Sequence, residues 1–220
     1  MTLYKQLVSG LHPNRPGTYL STVRAIIFHY TGNDAPSADD TMNARYFGRP
    51  WKGSLETPLE LDGSPFRYGS TQIIADHDSV TMAIPDDEVA WACGDRNAGP
   101  WTPELKGQMP IARNLFGNRQ NYHSVSVEIC SNDVIKGSDE DWRGACSNAA
   151  SWAINYLFLN NLIVDVKGSL DPQAFTGPLA PRHVLLLRHF DVTGKICPKP
   201  FVDDYAAWER FVRLVAGVVS

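Results

Sequence analysis

Residues 187–198 read LRHFDVTGKICP, and the interpretation of the whole chain starts from this stretch. It continues a short apolar run at residues 184–187, which predicts a buried strand that ends close to His189. Far upstream, a second apolar run over residues 23–28 is followed directly by His29. Two imidazoles and the thiolate of Cys197 would supply three zinc ligands and leave one tetrahedral position open, as in catalytic zinc sites. The spacing alone is a weak signal, because any two histidines and a cysteine could be grouped in this way.

The pattern along the chain alternates strands with helices. The run that contains His29 reads as a strand over residues 23–30, and three further segments read as strands or as parts of a strand hairpin, at residues 70–76, 80–84 and 124–130. Two helices are predicted to begin after the N-caps Ser37 and Ser138, and an amphipathic helix is predicted at residues 205–215. This order predicts an α/β fold, in which a central mixed β-sheet is flanked by α-helices.

Composition limits the classes of protein to which the chain can belong. Its 220 residues suit a single domain, so we expect one domain over residues 1–220 with no internal repeat. The formal net charge of -4 argues against a nucleic-acid partner. No apolar run approaches the roughly 18 residues of a membrane span, so membrane insertion is not expected. Residues 1–7 lack a signal-peptide core, which predicts synthesis in the cytoplasm without the usual export signal.

The four cysteines are expected to be thiols rather than disulfides. A chain of this length can build a core without disulfide support. Cys130 ends an alternating strand pattern and Cys146 lies in a helical pattern, so both are interpreted as buried thiols. The pattern around Cys93 does not place it.

Glu128 is unusual within its predicted strand. Val125, Val127 and Ile129 alternate onto one face, and Glu128 shares the other face with small residues. Glutamate is depleted in strands, and small neighbours would leave space above it. Glu128 therefore stands out as a candidate functional residue, although a glutamate that simply faces solvent is the alternative.

Four motifs together resemble a known family. They are FHYT at residues 28–31, IPDD and AWACGD at 84–87 and 90–95, SVSVEIC at 124–130, and His189 followed by GKICP at 194–198. In this order they resemble the zinc-dependent N-acetylmuramoyl-L-alanine amidases of type 2. That family shares its fold with the peptidoglycan-recognition proteins and includes many phage endolysins. The resemblance covers roughly residues 20–215, with gaps at the long loops 49–69 and 94–121.

The resemblance implies a role for each candidate residue. His29, His189 and Cys197 would hold Zn²⁺, Glu128 would be the general base, and Lys195 would stabilise the developing oxyanion. The substrate would be peptidoglycan, cut between the lactyl group of N-acetylmuramic acid and the L-alanine of the stem peptide. A phage or prophage endolysin, acting on the cell wall after release, is the implied biological setting.

Several alternatives stay open from the sequence. His29 and Cys197 could be ordinary core residues, and Lys195 could be a solvated charge. A peptidoglycan-recognition protein that binds without cutting, or a cytoplasmic wall-recycling amidase, would share most of the motifs. A structural zinc would need a fourth ligand, for which Cys93, His77 and His183 are the candidates.

The sequence also departs from the family pattern at one strand. Thr71 or Gln72 stands where the family often has a histidine, and Tyr68 lies nearby without a clear alignment. Trp91 belongs either to the wall of a substrate groove or to the core.

Overall fold

The computed structural model describes residues 2–33, 35, 38–93, 110–117, 119–131, 139–175 and 178–218. The strands are β1 Thr2–Lys5, β2 Ala25–Tyr30, β3 Lys52–Gly53, β4 Pro58–Leu59, β5 Ile73–Ala75, β6 Ser79–Met82, β7 Ser124–Ile129, β8 Ile163–Val164 and β9 His183–Arg188. The α-helices are α1 Asp40–Phe47, α2 Pro110–Phe116, α3 Asp139–Leu159, α4 Val166–Leu170, α5 His189–Thr193, α6 Lys199–Asp203 and α7 Tyr205–Val215. Within these ranges, no helix combines the length and apolar composition that crossing a membrane requires.

Seven strands form one sheet in the order β1-β6-β5-β7-β2-β9-β8. β2 lies between β7 and β9 and is parallel to both, and β5 continues this parallel set beyond β7. β5 and β6 are antiparallel, as the hairpin prediction requires. The sheet is therefore mixed and flanked by helices, which confirms the predicted fold class.

One face of the sheet carries the larger hydrophobic core. Alternate residues of β2 and β7, such as Phe28 and Val127, pack there against α3 and α7. Trp208 of α7 is fully buried, and Phe211 meets the ring of Phe28 edge-on at 4.8 Å between centroids. Burial of such large apolar side chains contributes about 1.5–3 kcal/mol each, so this face anchors the sheet.

The opposite face is covered in two separate parts. Ile27 and Leu187 pack with Ile111 of α2 and with Cys93, whereas Ile74 packs with Ala44 of α1. β7 runs between β5 and β2, and its residues on this face are Ser124, Ser126 and Glu128. The functional candidates lie on this face, between the two apolar clusters.

Helix α1 differs in detail from its prediction. It begins at Asp40 with Asp39 as the N-cap, whose side chain accepts the Met42 N–H at 2.6 Å; Ser37 lies outside the described residues. The spacing of Met42, Tyr46 and Phe47 predicts an apolar stripe, but Met42 and Tyr46 are exposed. The helix packs instead through Ala44 and through Asp40, which accepts hydrogen bonds from hydroxyl groups of β6.

The long loops hold more regular structure than the sequence indicates. Residues 49–69 contain the small hairpin formed by β3 and β4. The described part of residues 94–121 contains α2 and a 3₁₀ turn at Gln120–Tyr122, whereas residues 94–109 and the N-cap predicted at Ser138 lie outside the described ranges. The short elements β1, β8, α4 and α6 had no clear sequence signal, because each is five residues or fewer.

Candidate metal centre

Two histidines meet at one edge of the sheet. His29 is the fifth residue of β2, and His189 directly follows the neighbouring parallel strand β9. Their side chains are buried, and the two Nδ1 atoms lie 3.0 Å apart. His189 is the first residue of α5, because the main chain enters a helical turn as soon as the strand ends.

Cys197 completes a group of three possible metal ligands. The ring nitrogens of His29 and His189 and the Sγ of Cys197 all lie within 4.8 Å of one another, and all three residues are buried. Cys197 follows α5 by four residues in sequence. The Phe190 N–H donates to the Cys197 carbonyl at 2.9 Å, so the chain returns to α5 at Cys197. The structure therefore brings together the three residues that the sequence singles out.

An ion pair missed by the sequence reasoning holds the start of α5. Arg188 donates to both carboxylate oxygens of Asp191, at 2.7 and 3.1 Å, and a third nitrogen donates to the Phe201 carbonyl. The Asp191 carboxylate also accepts the Arg188 N–H at 2.8 Å. Both side chains are buried, so His189, which directly follows Arg188, has little freedom to move. The sequence signal was an Arg and an Asp three residues apart on a helical turn.

The electrostatics favour neutral histidines. Burial, with the nearby His189 and Lys195, holds the pKa of His29 well below its usual range. Burial and Lys195 lower the pKa of His189 to about 3. Neutral imidazole is the form that binds metal ions, so both rings keep a lone pair available at neutral pH.

The surroundings of Cys197 affect the balance between its thiol and thiolate forms in both directions. Burial raises its pKa to about 12, and the charge of Glu128 acts in the same direction. A hydrogen bond from the Tyr30 backbone and the charge of Lys195 favour the thiolate. A cation at this position would shift the balance to the thiolate, which is the form that binds metal.

Glu128 lies beside the three candidate ligands. It is the register partner of His29 on the adjacent parallel strand, so the two side chains emerge on the same face. Its Oε2 atom is buried and has no hydrogen-bond partner within the described residues. Burial raises the pKa of Glu128 to about 7, and the charge of Lys195 opposes this rise. An enclosed carboxylate oxygen without a partner fits a site that receives a cation or a polar substrate.

Lys195 supplies positive charge to the whole group. Its side chain is exposed, two residues before Cys197. Its charge lowers the pKa values of His29, His189, Cys197 and Glu128, so it acts electrostatically on all four. Buried ligands, a half-buried carboxylate and an exposed ammonium group together form a site that can bind a cation and stabilise a developing negative charge.

Comparison with known proteins gives the family. Residues 19–200 match the N-acetylmuramoyl-L-alanine amidase family. The chain belongs to this family. Among curated relatives, the amidase CwlL of Bacillus licheniformis is 27% identical over 216 residues, which are 98% of this chain and 47% of that protein. The chain thus spans about half the length of the curated relatives it matches.

Solved structures share the amidase fold. The structure of PlyL matches with a TM-score of 0.63 at 20% identity, over 100% of both chains. A mutant endolysin from Bacillus subtilis matches with a TM-score of 0.60 at 21% identity, over 96% of this chain and 99% of that one. At this level of identity the two structures support the fold.

The strand that departs from the family pattern has a structural role in this amidase-family chain. The Gln72 side chain accepts the Ser126 N–H and donates to the Glu88 carbonyl, both at 2.8 Å. The Thr71 hydroxyl donates to the Ser126 carbonyl at 2.7 Å. Both residues are fully buried. Tyr68 is exposed and packs against Phe66, outside the ligand group.

The candidates for a fourth ligand lie outside the group of three. His77 lies in a separate group with Asp76 and Asp78. Its Nδ1 atom is hydrogen-bonded to Oδ1 of Asp76 at 3.0 Å. His183 begins β9, at the end of the strand opposite His189. The Sγ of Cys93 is 3.7 Å from Nε2 of His29 and is not within the three-ligand group.

The structure also gives the surroundings of Trp91 and the state of the four cysteines. Trp91 is half-buried, donates from Nε1 to the Pro13 carbonyl, and contacts the Tyr122 ring edge-on at 6.3 Å between centroids. It therefore links two loops and keeps part of its ring accessible. None of the four cysteines, all of which lie in described ranges, forms a disulfide in the structure.

Proposed function

We propose that this chain is the catalytic domain of a zinc-dependent N-acetylmuramoyl-L-alanine amidase. The observation that carries the proposal is the buried group of His29, His189 and Cys197 with the Glu128 carboxylate beside it on the next strand. Two nitrogens and one sulfur form a donor set suited to zinc, and three protein ligands leave a position for the reaction. Zinc, when bound there, would polarise the scissile carbonyl and make water a stronger nucleophile at neutral pH.

Glu128 is the proposed general base. As the oxygen of water forms a bond with the lactyl carbonyl carbon, the carboxylate takes its proton. The same proton then goes to the nitrogen of L-alanine as the carbon–nitrogen bond breaks, which leaves a carboxylic acid and a free amine; the acid then gives its proton to solvent. Burial raises the pKa of Glu128 to about 7, so its affinity for a proton suits both transfers near neutral pH.

Lys195 is proposed to stabilise the negative charge that develops on the carbonyl oxygen. Lys195 is exposed to solvent, and its charge lowers the pKa values of Glu128 and Cys197. A preorganised positive charge near the oxyanion lowers the barrier more than it improves ground-state binding.

The proposed substrate and biological role are inferred from the similar proteins. The curated relatives carry the name of the amidase, and a similar structure is an endolysin, which supports peptidoglycan as the partner and an endolysin role. Residues 1–220 are proposed as one catalytic domain. A recognition protein that binds without cutting is the second candidate, but the buried Cys197 completes a catalytic ligand set and favours hydrolysis. A wall-recycling amidase would share this site.

Metal analysis and wall digestion test the proposal together. Purified protein should hold about one zinc per chain and release N-terminal L-alanine from peptidoglycan without new reducing sugar ends. The variant Cys197→Ser should lose zinc and activity, whereas Cys146→Ser, on α3 and outside the ligand group, should keep both. New reducing ends would contradict the amidase assignment. Walls bound by the zinc-loaded protein but left uncut would favour the recognition protein.

A further inference from the structure

The two ring nitrogens of His29 face different partners. Nδ1 lies 3.0 Å from Nδ1 of His189 and so points into the group of candidate ligands. Nε2 lies 3.7 Å from the Sγ of Cys93, which is a hydrogen-bond distance for sulfur. Because the two nitrogens point away from each other across the ring, a cation held at Nδ1 cannot also be bound by Cys93 next to Nε2. Cys93 therefore contacts the side of the ring that the metal would not use.

Cys93 is held in place by its neighbours. Only 1% of its surface is exposed, and it packs with Ile27 and Ile111 in the smaller core cluster. Its backbone N–H donates to Oδ1 of Asn121 at 2.9 Å, and its carbonyl accepts a hydrogen bond from Nε2 of Gln120 at 3.3 Å. The same Asn121 oxygen also accepts the N–H of Ala92, at 3.3 Å. The 3₁₀ turn before β7 thus fixes the sulfur against the imidazole.

We infer that Cys93 is a positioning residue for His29, which keeps the proton on Nε2 and leaves Nδ1 for the metal. This role rests on the metal centre of the proposed function. A neutral imidazole carries one N–H and one lone pair, and the partner of the N–H decides which nitrogen can ligate. Ligating histidines usually donate their second nitrogen to a carboxylate or a carbonyl group, and here a buried sulfur occupies that position.

The expected effect of removing the sulfur is on metal affinity. Without Cys93, the buried Nε2–H loses its acceptor and the ring gains freedom to rotate or change tautomer. Loss of such an outer partner typically weakens metal binding by about 10–100-fold, and we expect about tenfold because sulfur is a weak acceptor. Cys93→Ser should retain more affinity than Cys93→Ala, because the hydroxyl can still accept the proton.

Zinc affinity, rather than activity, is the measurement. The zinc dissociation constants of the wild type, Cys93→Ala, Cys93→Ser and the control Cys146→Ala should be measured by competition with a chelator, beside the melting temperature of each metal-free protein. We expect about tenfold weaker binding for Cys93→Ala, with Cys93→Ser between it and the wild type, and unchanged binding for Cys146→Ala. A dissociation constant for Cys93→Ala within about twofold of the wild type would overturn the inference.

A spectroscopic measurement on the wild type does not depend on how the variants fold. Long-range ¹H–¹⁵N correlation of the zinc-loaded protein should show His29 protonated at Nε2 and ligating through Nδ1. A ring protonated at Nδ1 would overturn the inference and leave the proposed amidase activity standing. Zinc binding with this tautomer but no hydrolysis of walls would contradict the proposed activity and leave the role of Cys93 intact. Failure of the wild type to bind zinc would overturn both.

Discussion

His29 and Glu128 lie opposite each other on the neighbouring parallel strands β2 and β7, and both side chains emerge on the same face of the sheet. The sheet register thus places a candidate ligand and a candidate base side by side, without any contribution from a loop. Rigid strands hold a catalytic geometry more accurately than loops do. A shift of one residue between β2 and β7 would send one of the two side chains to the opposite face.

The first prediction concerns Glu128 as the base. Glu128→Gln keeps the shape of the side chain but removes its ability to take a proton, so turnover should fall by about 10²–10⁴-fold. Zinc content should remain that of the wild type, because Glu128 is not one of the three candidate ligands. Turnover on purified walls and metal analysis of the same samples provide the measurement. Near-normal turnover in this variant would rule out Glu128 as the base.

The second prediction is that the same substitution stabilises the metal-free fold above neutral pH. Burial raises the folded-state pKa of Glu128 from 4.5 to about 7, so the folded protein holds this proton more tightly than the unfolded chain does. The contribution of Glu128 to the stability of the wild type should therefore decline as pH rises from about 4.5 through about 7, and then level off, whereas the buried histidines respond to pH equally in both proteins. A pKa difference of one unit corresponds to about 1.4 kcal/mol. The free energy of unfolding of Glu128→Gln, relative to that of the wild type, should therefore be higher at pH 8 than at pH 4 by on the order of 3 kcal/mol.

Urea unfolding in the presence of a chelator measures this effect. The free energy of unfolding of the wild type and of Glu128→Gln should be compared at pH 4, 6 and 8. Glu56→Gln is the matched control, because this exposed glutamate lies in the β3–β4 hairpin outside the site. An equal difference between wild type and Glu128→Gln at all three pH values would show that the carboxylate is not destabilised by burial.

The third prediction concerns the ion pair that holds the start of α5. Asp191→Ala leaves the buried Arg188 guanidinium without its partner, which typically costs about 3–5 kcal/mol of stability. It should also weaken zinc binding, because His189 lies between the two residues in sequence. Asp203→Ala removes an exposed ion pair with Lys199 and should change stability by less than about 1 kcal/mol. If Asp191→Ala and Asp203→Ala lower the free energy of unfolding equally, the buried ion pair does not have the stabilising role predicted for it.

The strands and the ligand group were predictable because their signals are local. The apolar runs before His29 and His189 mark buried strands, and the alternation around Glu128 gives its face directly. The parallel pairing of β2 with β9 then brings the histidines together, and this pairing is seen in the structure rather than in the fold class. The family resemblance gave Glu128 and Lys195 their roles, and it supported the grouping of Cys197 with the histidines, which spacing alone indicates only weakly.

The supporting contacts were not predictable in the same way. The contact of Cys93 with His29 joins residues 64 positions apart, and it depends on a 3₁₀ turn whose residues show no periodic pattern. Helix α1 hides a charged residue, Asp40, because two hydroxyl groups of the neighbouring strand β6 donate to it. Sequence reasoning assigns a charged residue to the surface unless its partners are known, and here those partners lie about 40 residues away.

The last prediction concerns Lys195. Lys195→Ala should cost about 3 kcal/mol of transition-state stabilisation, or roughly 100-fold in kcat, with a smaller change in KM. The charge of Lys195 lowers the pKa of Glu128, so its removal should also move the acidic limb of the pH–rate profile to higher pH. Lys199→Ala, which removes an exposed lysine paired with Asp203, is the control and should leave kcat and the profile unchanged. If Lys195→Ala lowers kcat but leaves the acidic limb where it is, the lysine acts on the substrate alone; an unchanged kcat would remove it from the proposed mechanism.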